Sequence, residues 1–490
     1  MSWFDRLSQR HRIAVSTVSQ TGGNLAVALI SVGVLNLITH QLGPSEYGLF
    51  ALIVTYVSLF TFITDLGLTA MTNRELAREG SNQESILSVA MSSRITLALA
   101  IVPIIVGSAF LLYPGYPISF EIAMTVMAFD VLFRSIQAVS GTVFSVRLKG
   151  HVTASLLFIN RVLYLFGVVV VTIVKGPYLA YVCVYVGADL AIAIIYLVLV
   201  RRVVPLRWSR NLRAWQQALV VAIPLGIIQV ITNIYSWVDS IMVSVLRTSA
   251  ELGFYSLAFN MVNVLAVVPG FLMIALMPQL VNADQARAEQ LVNRAIYVLV
   301  CIGAPLAAGA VVLNAQIVHL VAGPNFGAAG ALFAVLALTL PISFAQTALS
   351  YSCVTLNRYR PLVIVNLVVL AVNIVVNLVM IRQFGPIGAA ITLLGTEVIS
   401  LMGTTMVFSR LTQLRVRLLS VWTPFVAAGF AGGVGAVCAK VLPQSLPLLI
   451  VCVVGAMLAV VYVSILSLFR GFPEEIPLPA VLRRLVHRSH

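Results

Sequence analysis

Residues 20–76 read QTGGNLAVALISVGVLNLITHQLGPSEYGLFALIVTYVSLFTFITDLGLTAMTNREL. An uncharged apolar run at 21–38 leads into Leu42-Gly43-Pro44-Ser45-Glu46-Tyr47-Gly48, and a second run at 49–71 ends on Thr72-Asn73-Arg74-Glu75. At about 1.5 Å per residue, each run is long enough to cross a hydrocarbon layer of about 30 Å. The Gly-Pro pair is a tight turn through which a helix does not continue. The stretch is therefore a transmembrane helical hairpin, with its turn on one side and both basic ends on the other. The rest of the chain repeats this plan.

Composition carries the same message over 490 residues. The chain is 60% hydrophobic and 9% charged, with a mean hydropathy of +1.03, where a soluble protein would hold roughly 25% charged residues. Runs of this length imply helices, so the fold class is an all-α polytopic membrane protein with about fourteen spans. The net charge of +14 is distributed by side and does not mark a nucleic-acid site. Of the 30 Lys and Arg residues, 23 fall in segments on the side of the N-terminus, 4 on the opposite side (Lys175, Arg247, Arg382, Lys440) and 3 within spans (Arg94, Arg134, Arg161). By the positive-inside rule both termini are cytoplasmic. Cys183, Cys301, Cys353, Cys438 and Cys452 all lie in apolar helices, with no disulfide or metal spacing. No nucleotide-binding motif is present and no cofactor is expected. No small-residue cleavage site follows the basic N-terminus, so a signal peptide is not expected.

The organisation predicted is an interfacial segment at 1–13, a six-helix lobe at 14–200, a basic linker at 201–214, a second six-helix lobe at 215–410, an extra helix pair at 418–470 and a basic tail at 471–490. An internal repeat supports the two lobes. Gln20-x-x-x-Asn24 matches Gln229-x-x-x-Asn233 at an offset of 209, Glu46-x-Gly48 matches Glu251-x-Gly253 at 205, and Gly176-Pro177 matches Gly385-Pro386 at 209. Six spans per repeat is an even number, so the repeats are parallel, an arrangement that suits two halves rocking about a central site.

The pattern around Asn24, Leu42-Gly43-Pro44-Ser45-Glu46-Tyr47-Gly48 and Asp65-Leu66-Gly67-Leu68 resembles the Wzx-type polysaccharide (O-antigen) flippases of the multidrug/oligosaccharidyl-lipid/polysaccharide exporter superfamily. The resemblance implies a V-shaped pair of bundles and export of a lipid-linked oligosaccharide for polysaccharide biosynthesis at the cell envelope. The extra helix pair resembles that of the lipid II flippases. The expected setting is a bacterial or archaeal cytoplasmic membrane, among its lipids, with a polysaccharide polymerase or glycosyltransferases as partner enzymes.

Charges at membrane depth are rare and carry function by default. In the first lobe Asp130 and Arg134 stand one helical turn apart, with Arg161 in span five and Asp189 in span six. Two readings are open. One is a buried salt-bridge network that holds the bundle. The other is a cavity whose arginines, Arg134 and Arg161, receive the diphosphate of the lipid carrier in a bidentate fork, held ready by Asp130 and Asp189. Arg94, near the cytoplasmic end of span three, can snorkel to the surface or join that site. In the second lobe Asp239 and Glu397 share their spans with no basic residue, which suits coupling to protons or sodium; a carboxyl in a polar crevice is the alternative. Gln20, Asn24, Gln229 and Asn233 share helix faces and suit either sugar hydroxyls or interhelical hydrogen bonding. Tyr235 and Trp237 suit sugar stacking or an interfacial belt. The segment 65–78 reads as a solvated helix end, or as a cytoplasmic gate by the resemblance. Pro224, Pro269 and Pro341 are candidate kinks.

An enzyme acting on the same carriers needs a general base and its partner outside the membrane, and the loops there hold no such cluster. A cation-coupled multidrug exporter or a lipid II flippase of the same superfamily are the nearer alternatives. The topology is checked by reporter fusions at Arg207 and His490, both of which are expected to report cytoplasm; an opposite signal at His490 alone would mean one span fewer or more after the second lobe.

Overall fold

A computed structural model describes residues 9–76, 82–146, 150–205, 207–281, 283–356, 360–417, 421–442 and 447–468, without the side chains of 9–26 and of 224, 225, 228, 232, 275, 278 and 360. Those residues form eighteen α-helices, a 3-10 turn at Pro324–Phe326 and no strand. The first nine are α1 (Gln9–Asp65), α2 (Leu68–Leu76), α3 (Gln83–Leu112), α4 (Ile118–Ala128), α5 (Asp130–Val146), α6 (Gly150–Ile173), α7 (Tyr178–Arg201), α8 (Leu212–Leu246) and α9 (Ser249–Leu265). The others are α10 (Val268–Val281), α11 (Gln285–Val312), α12 (Asn314–Ala322), α13 (Ala329–Ala337), α14 (Leu340–Thr355), α15 (Arg360–Phe384), α16 (Pro386–Thr412), α17 (Trp422–Val441) and α18 (Pro447–Leu468). Eleven of the described helical stretches are long and apolar enough to cross a membrane, or twelve with the bent pair α13 and α14 taken as one span. Since α1 holds a span on each side of Gly43 and α8 is 35 residues long, this accords with about fourteen spans. The N-terminal eight residues and the tail from 469 lie outside the described residues.

The chain divides into two compact units, 1–253 and 254–490. The helix α8, which opens the second sequence repeat, belongs to the first unit. The core of the first unit gathers Leu87, Val139, Phe144, Leu156, Ile192 and Val200 from α3, α5, α6 and α7. In the second unit α17 and α18 pack on α11 through Ala304, Ala428, Ala431, Val454 and Leu458. The Tyr462 hydroxyl donates to the Cys301 carbonyl over 2.9 Å there.

The Gly-Pro pair interrupts the helix as the sequence suggested, and does so within a single residue. Gly43 alone leaves helical geometry, at φ 70° and ψ 179°, and the helix resumes at Pro44. Glycine supplies the positive φ, and proline tolerates the first helical turn because its missing N–H has no partner there anyway. The second span breaks again after Asp65, at Leu66 (φ 37°) and Gly67 (φ 81°). Breaks recur in the second half: α9 gives way to α10 at 266–267, and α13 to α14 at 338–339, as α4 does to α5 at Phe129. Pro269 and Pro341 stand at the starts of α10 and α14, so these two prolines mark breaks between helices. Pro224 lies within α8. The repeat extends to the third helices, α3 and α11. Each starts behind a side-chain cap, Asn82 or Asp284, and each contains a proline, Pro103 or Pro305, at the same offset of 202.

The repeat-matched glycines Gly48 and Gly253 meet. A Cβ built on Gly48 would lie 1.8 Å from the Ser249 carbonyl oxygen, and one on Gly253 would lie 2.1 Å from that of Pro44. At the break in span two the same happens between Gly67 and Gly226, where a Cβ on Gly226 would lie 2.1 Å from the carbonyl carbon of Leu66. Close backbone approach of this kind requires glycine. Gly226→Ala and Gly253→Ala are each expected to destabilise the protein by about 1–3 kcal/mol through overpacking, read as a lower melting temperature in detergent. Gly433→Ala, where nothing lies within 4 Å of the added methyl, is expected to leave melting unchanged or raise it through helix propensity; equal behaviour of the three variants would contradict this packing.

Candidate functional site

The break at Phe129 makes Asp130 the first residue of α5, where the helix dipole favours a carboxylate. One turn on, Arg134 returns to it: Nε lies 2.5 Å from Asp130 Oδ2. The same Nε lies 3.4 Å from Oδ2 of Asp189 on α7, and Nη2 donates to the Tyr185 hydroxyl, also on α7. Asp189 Oδ1 accepts from Asn160 of α6 over 2.7 Å. Gln137 of α5 donates to the Asp189 backbone carbonyl over 2.8 Å. Tyr164 of α6 meets Tyr185 edge-on at 5.1 Å. Three helices are thus joined by a network in which one guanidinium stands between two carboxylates. Asp130 is 1% exposed, whereas the Arg134 side chain keeps 31% of its surface open. Asp130 Oδ1 is buried with no hydrogen-bond partner among the described residues.

Arg161 sits half-buried on α6, next to Asn160 in sequence. Its charge acts on Tyr164 and Tyr185, yet among the described residues it makes no ion pair within 4.0 Å. The sequence suggested two Asp–Arg pairs. The structure instead places both acids on Arg134 and leaves Arg161 beside that network, outside its ion pairs. Gln137, Asn160 and Tyr185 were missed by sequence reasoning. Gln137 carried one signal: Gln346 lies 209 residues on, the offset of the repeat. Gln346 of α14 likewise bridges to α16, donating to Ser400 over 3.1 Å and Thr404 over 2.8 Å. The second copy of the bridge is therefore neutral where the first is charged.

Arg94 does not snorkel. It is 3% exposed, with Nη1 2.6 Å from Asp65 Oδ1 and donating to Thr69 Oγ1 over 2.6 Å. The cause is the helix break. Asp65, the last residue of α1, caps α2 by accepting from the backbone N–H of Thr69 over 3.2 Å and from its hydroxyl over 2.5 Å. The turn at Leu66 and Gly67 points its carboxylate at α3. Asp65 is thus in a buried ion pair, whereas Arg74 further along the segment is exposed and residues 77–78 lie outside the described residues.

The remaining candidates are dispersed. Asn233 donates to the Gln229 carbonyl of its own helix over 2.7 Å, and Gln229 is exposed. Tyr235 is half-buried and has a partner. Asp239 is 2% exposed and Glu397 half-buried; neither is without a partner, so the isolation expected for these acids does not hold. Gln20 and Asn24 lie on α1, and their side chains fall outside the described residues.

A family model described as polysaccharide biosynthesis protein matches residues 13–283, and one described as MatE matches 224–379. The probable low-salt glycan biosynthesis flippase Agl15 of Haloferax volcanii is 21% identical over 373 residues, covering 72% of this chain and 74% of that protein. Among solved structures, the lipid II flippase MurJ in an inward closed conformation superposes with a TM-score of 0.76 at 14% identity, over 92% of this chain and 98% of that one. An inward-facing multidrug resistance MATE family transporter of the MOP superfamily gives 0.65 at 12% identity, over 81% and 98%. At these identities the structural likeness shows the fold.

The network makes unequal demands on its two arginines. Arg134→Gln strips two carboxylates of their counter-charge and is expected to cost about 3–5 kcal/mol of stability, with recovery when Asp130→Asn and Asp189→Asn are added. Arg161→Gln is expected to change the melting temperature little. Equal losses for Arg134→Gln and Arg161→Gln would show that Arg161 too is structurally paired.

Proposed function

We propose a transport role for this chain, which belongs to the polysaccharide biosynthesis protein family: it is a flippase that moves a polyprenyl-diphosphate-linked oligosaccharide across its membrane by alternating access. The family match, the glycan flippase relative and the fold shared with a lipid II flippase and a MATE transporter support this reading. The observation that carries it within the molecule is the arrangement of charge. Arg134 is neutralised by Asp130 and Asp189, while Arg161 beside it has no ion pair among the described residues. A diphosphate entering from the first unit meets Arg161 as its guanidinium fork, with the open edge of Arg134 in reserve. Asn160 and Asp189 hold the neighbouring helices at the spacing that keeps both guanidinium groups in reach.

In the proposed cycle the repeats 14–200 and 215–410 rock about the substrate, with both termini on the cytoplasmic side and 23 of the 30 basic residues there. The contact of Gly67 with Gly226 is the closed state of the cytoplasmic gate, and the Asp65–Arg94 pair braces the broken helix that makes it. A proton or sodium ion bound at Asp239 or Glu397 supplies the driving force. A cation-coupled multidrug exporter is the second reading, and the MatE match over 224–379 favours it. A flippase for a peptidoglycan precursor would use the same diphosphate site.

In cells that depend on this protein for surface polysaccharide, Arg161→Gln is expected to cut export at least tenfold at unchanged membrane level. The neutralised pair Asp130→Asn with Arg134→Gln is expected to retain a larger share. Normal export by Arg161→Gln would remove the anion site, and drug efflux without glycan export would move the protein to the second reading. Loss of the response to an imposed pH or sodium gradient in Asp239→Asn or Glu397→Gln is the corresponding sign of coupling.

A further inference from the structure

Each repeat ends in a basic segment that is not a free loop. After α7 the chain turns at Arg202–Val204, the N–H groups of Val203 and Val204 donating to the Val200 carbonyl, and Val204 is buried in the core of the first unit. The backbone N–H groups of Arg207 and Ser209 then donate to the Ser88 and Ser92 hydroxyls of α3, over 3.2 and 2.9 Å. After α16 the left-handed Gln413 ends the helix, and the extended segment that follows is tied to α11. The Arg415 N–H donates to Glu289 Oε2 over 3.1 Å, the Arg417 N–H to Asn293 Oδ1 over 2.7 Å, and Asn293 Nδ2 to the Arg415 carbonyl over 2.8 Å. In both cases residues i and i+2 of a strap are read by residues i and i+4 on the third helix of the repeat. The anchors differ chemically, yet the geometry is the same at an offset of about 201 on the helices and 208 on the straps.

Pinning the backbone decides where the side chains go. In an extended segment alternate residues face opposite ways. In the second strap Leu414 is buried and Val416 half-buried, while Arg415 and Arg417 are exposed. In the first strap Arg207, Trp208 and Arg210 are all exposed, without that alternation. Both straps lie where apolar helices end, and each has an exposed tryptophan at hand: Trp208 at 53% and Trp422, at the start of α17, at 52%. Exposed tryptophans at the ends of membrane spans belong at the level of lipid headgroups. Among the described residues two carboxylates contact the straps. Glu84 lies 3.3 Å from Arg207 Nε at an exposed pair, and Glu289 is engaged by the strap backbone. Against these stand Arg201, Arg202, Arg207, Arg210 and Arg213 along the first strap, and Arg410, Arg415 and Arg417 along the second.

We propose that the two pinned straps are binding surfaces for the phosphate of anionic phospholipid headgroups, one on each unit. The guanidinium groups are held at headgroup depth by hydrogen bonds to the third helices, so they meet lipid phosphate without first ordering a loop. The chemistry is that of guanidinium with a phosphodiester. It does not depend on the nature of the transported molecule.

The test uses the full-length protein purified in detergent, with phosphatidylglycerol, phosphatidylcholine or inorganic pyrophosphate as probe, and counts retained lipid by native mass spectrometry. Phosphatidylglycerol is expected to be retained several-fold over phosphatidylcholine. Arg207→Gln with Arg210→Gln, and Arg415→Gln with Arg417→Gln, are each expected to lower affinity at their own strap about tenfold. Arg415→Lys with Arg417→Lys is expected to keep most of the retention, which separates loss of charge from loss of fold. Asn293→Ala, with every arginine kept, is expected to weaken retention at the second strap. Equal retention of the two lipids, undiminished phosphatidylglycerol in the arginine variants or in Asn293→Ala, or displacement of the lipid by millimolar pyrophosphate, as a site for a free diphosphate would show, would overturn the proposal.

Discussion

A guanidinium group inside a bilayer needs a counter-charge and hydrogen-bond acceptors, because no water is there to provide them. That requirement shapes the first unit. Arg134 draws Asp130 and Asp189 to one nitrogen and so ties α5 to α7, while Asn160 adds α6. Arg94 draws Asp65 and so ties the broken end of span two to α3. Two helix breaks serve these pairs: one puts Asp130 at the start of a helix, the other turns Asp65 inward. Charge neutralisation and backbone distortion are thus two sides of the same arrangement.

The second half shows what the architecture looks like without that demand. Its fourth span also breaks, its third helix has a proline at the matching position, and its Gln346 joins α14 to α16 as Gln137 joins α5 to α7. The bridge is made of hydroxyls and an amide. Since the neutral version suffices to hold a bundle together, the charges of the first half are an addition to a scaffold that does not need them. Such an addition is costly in hydrocarbon, and a ligand with negative charge is the simplest reason to keep it. Arg161, outside the neutralised network, is the part of the addition that remains available.

The helical membrane fold was legible because hydropathy is a one-dimensional signal: twenty apolar residues mean a span whatever surrounds them. The repeat was legible at Gly48 and Gly253 as a recurrence, though not as a contact, because a sequence offset does not say which copies touch. The site was legible only in part. Asp130, Arg134 and Asp189 stood out as charges at depth, but their pairing depends on which helices adjoin. Arg94 was misjudged for the same reason: sequence gives depth in a span and not the facing residue, and the turn at Leu66 and Gly67 that presents Asp65 is a three-dimensional fact. Asn160 and Tyr185 are common residues in membrane helices and give no signal of their own. The anchors of the straps, Ser88, Ser92, Glu289 and Asn293, were invisible because hydrogen bonds to a neighbouring backbone leave no pattern in side-chain type.

The central claim is that this chain carries a diphosphate-linked glycan lipid across a membrane, and reconstitution tests it most directly. Purified protein would be placed in vesicles with a fluorescent polyprenyl-diphosphate oligosaccharide, and the share of label reached by a membrane-impermeant quencher would be followed over time. The account predicts that label moves between leaflets far faster than in protein-free vesicles, and that Arg161→Gln slows it towards that background. Movement no faster than in protein-free vesicles under an imposed pH or sodium gradient of either sign would contradict the account.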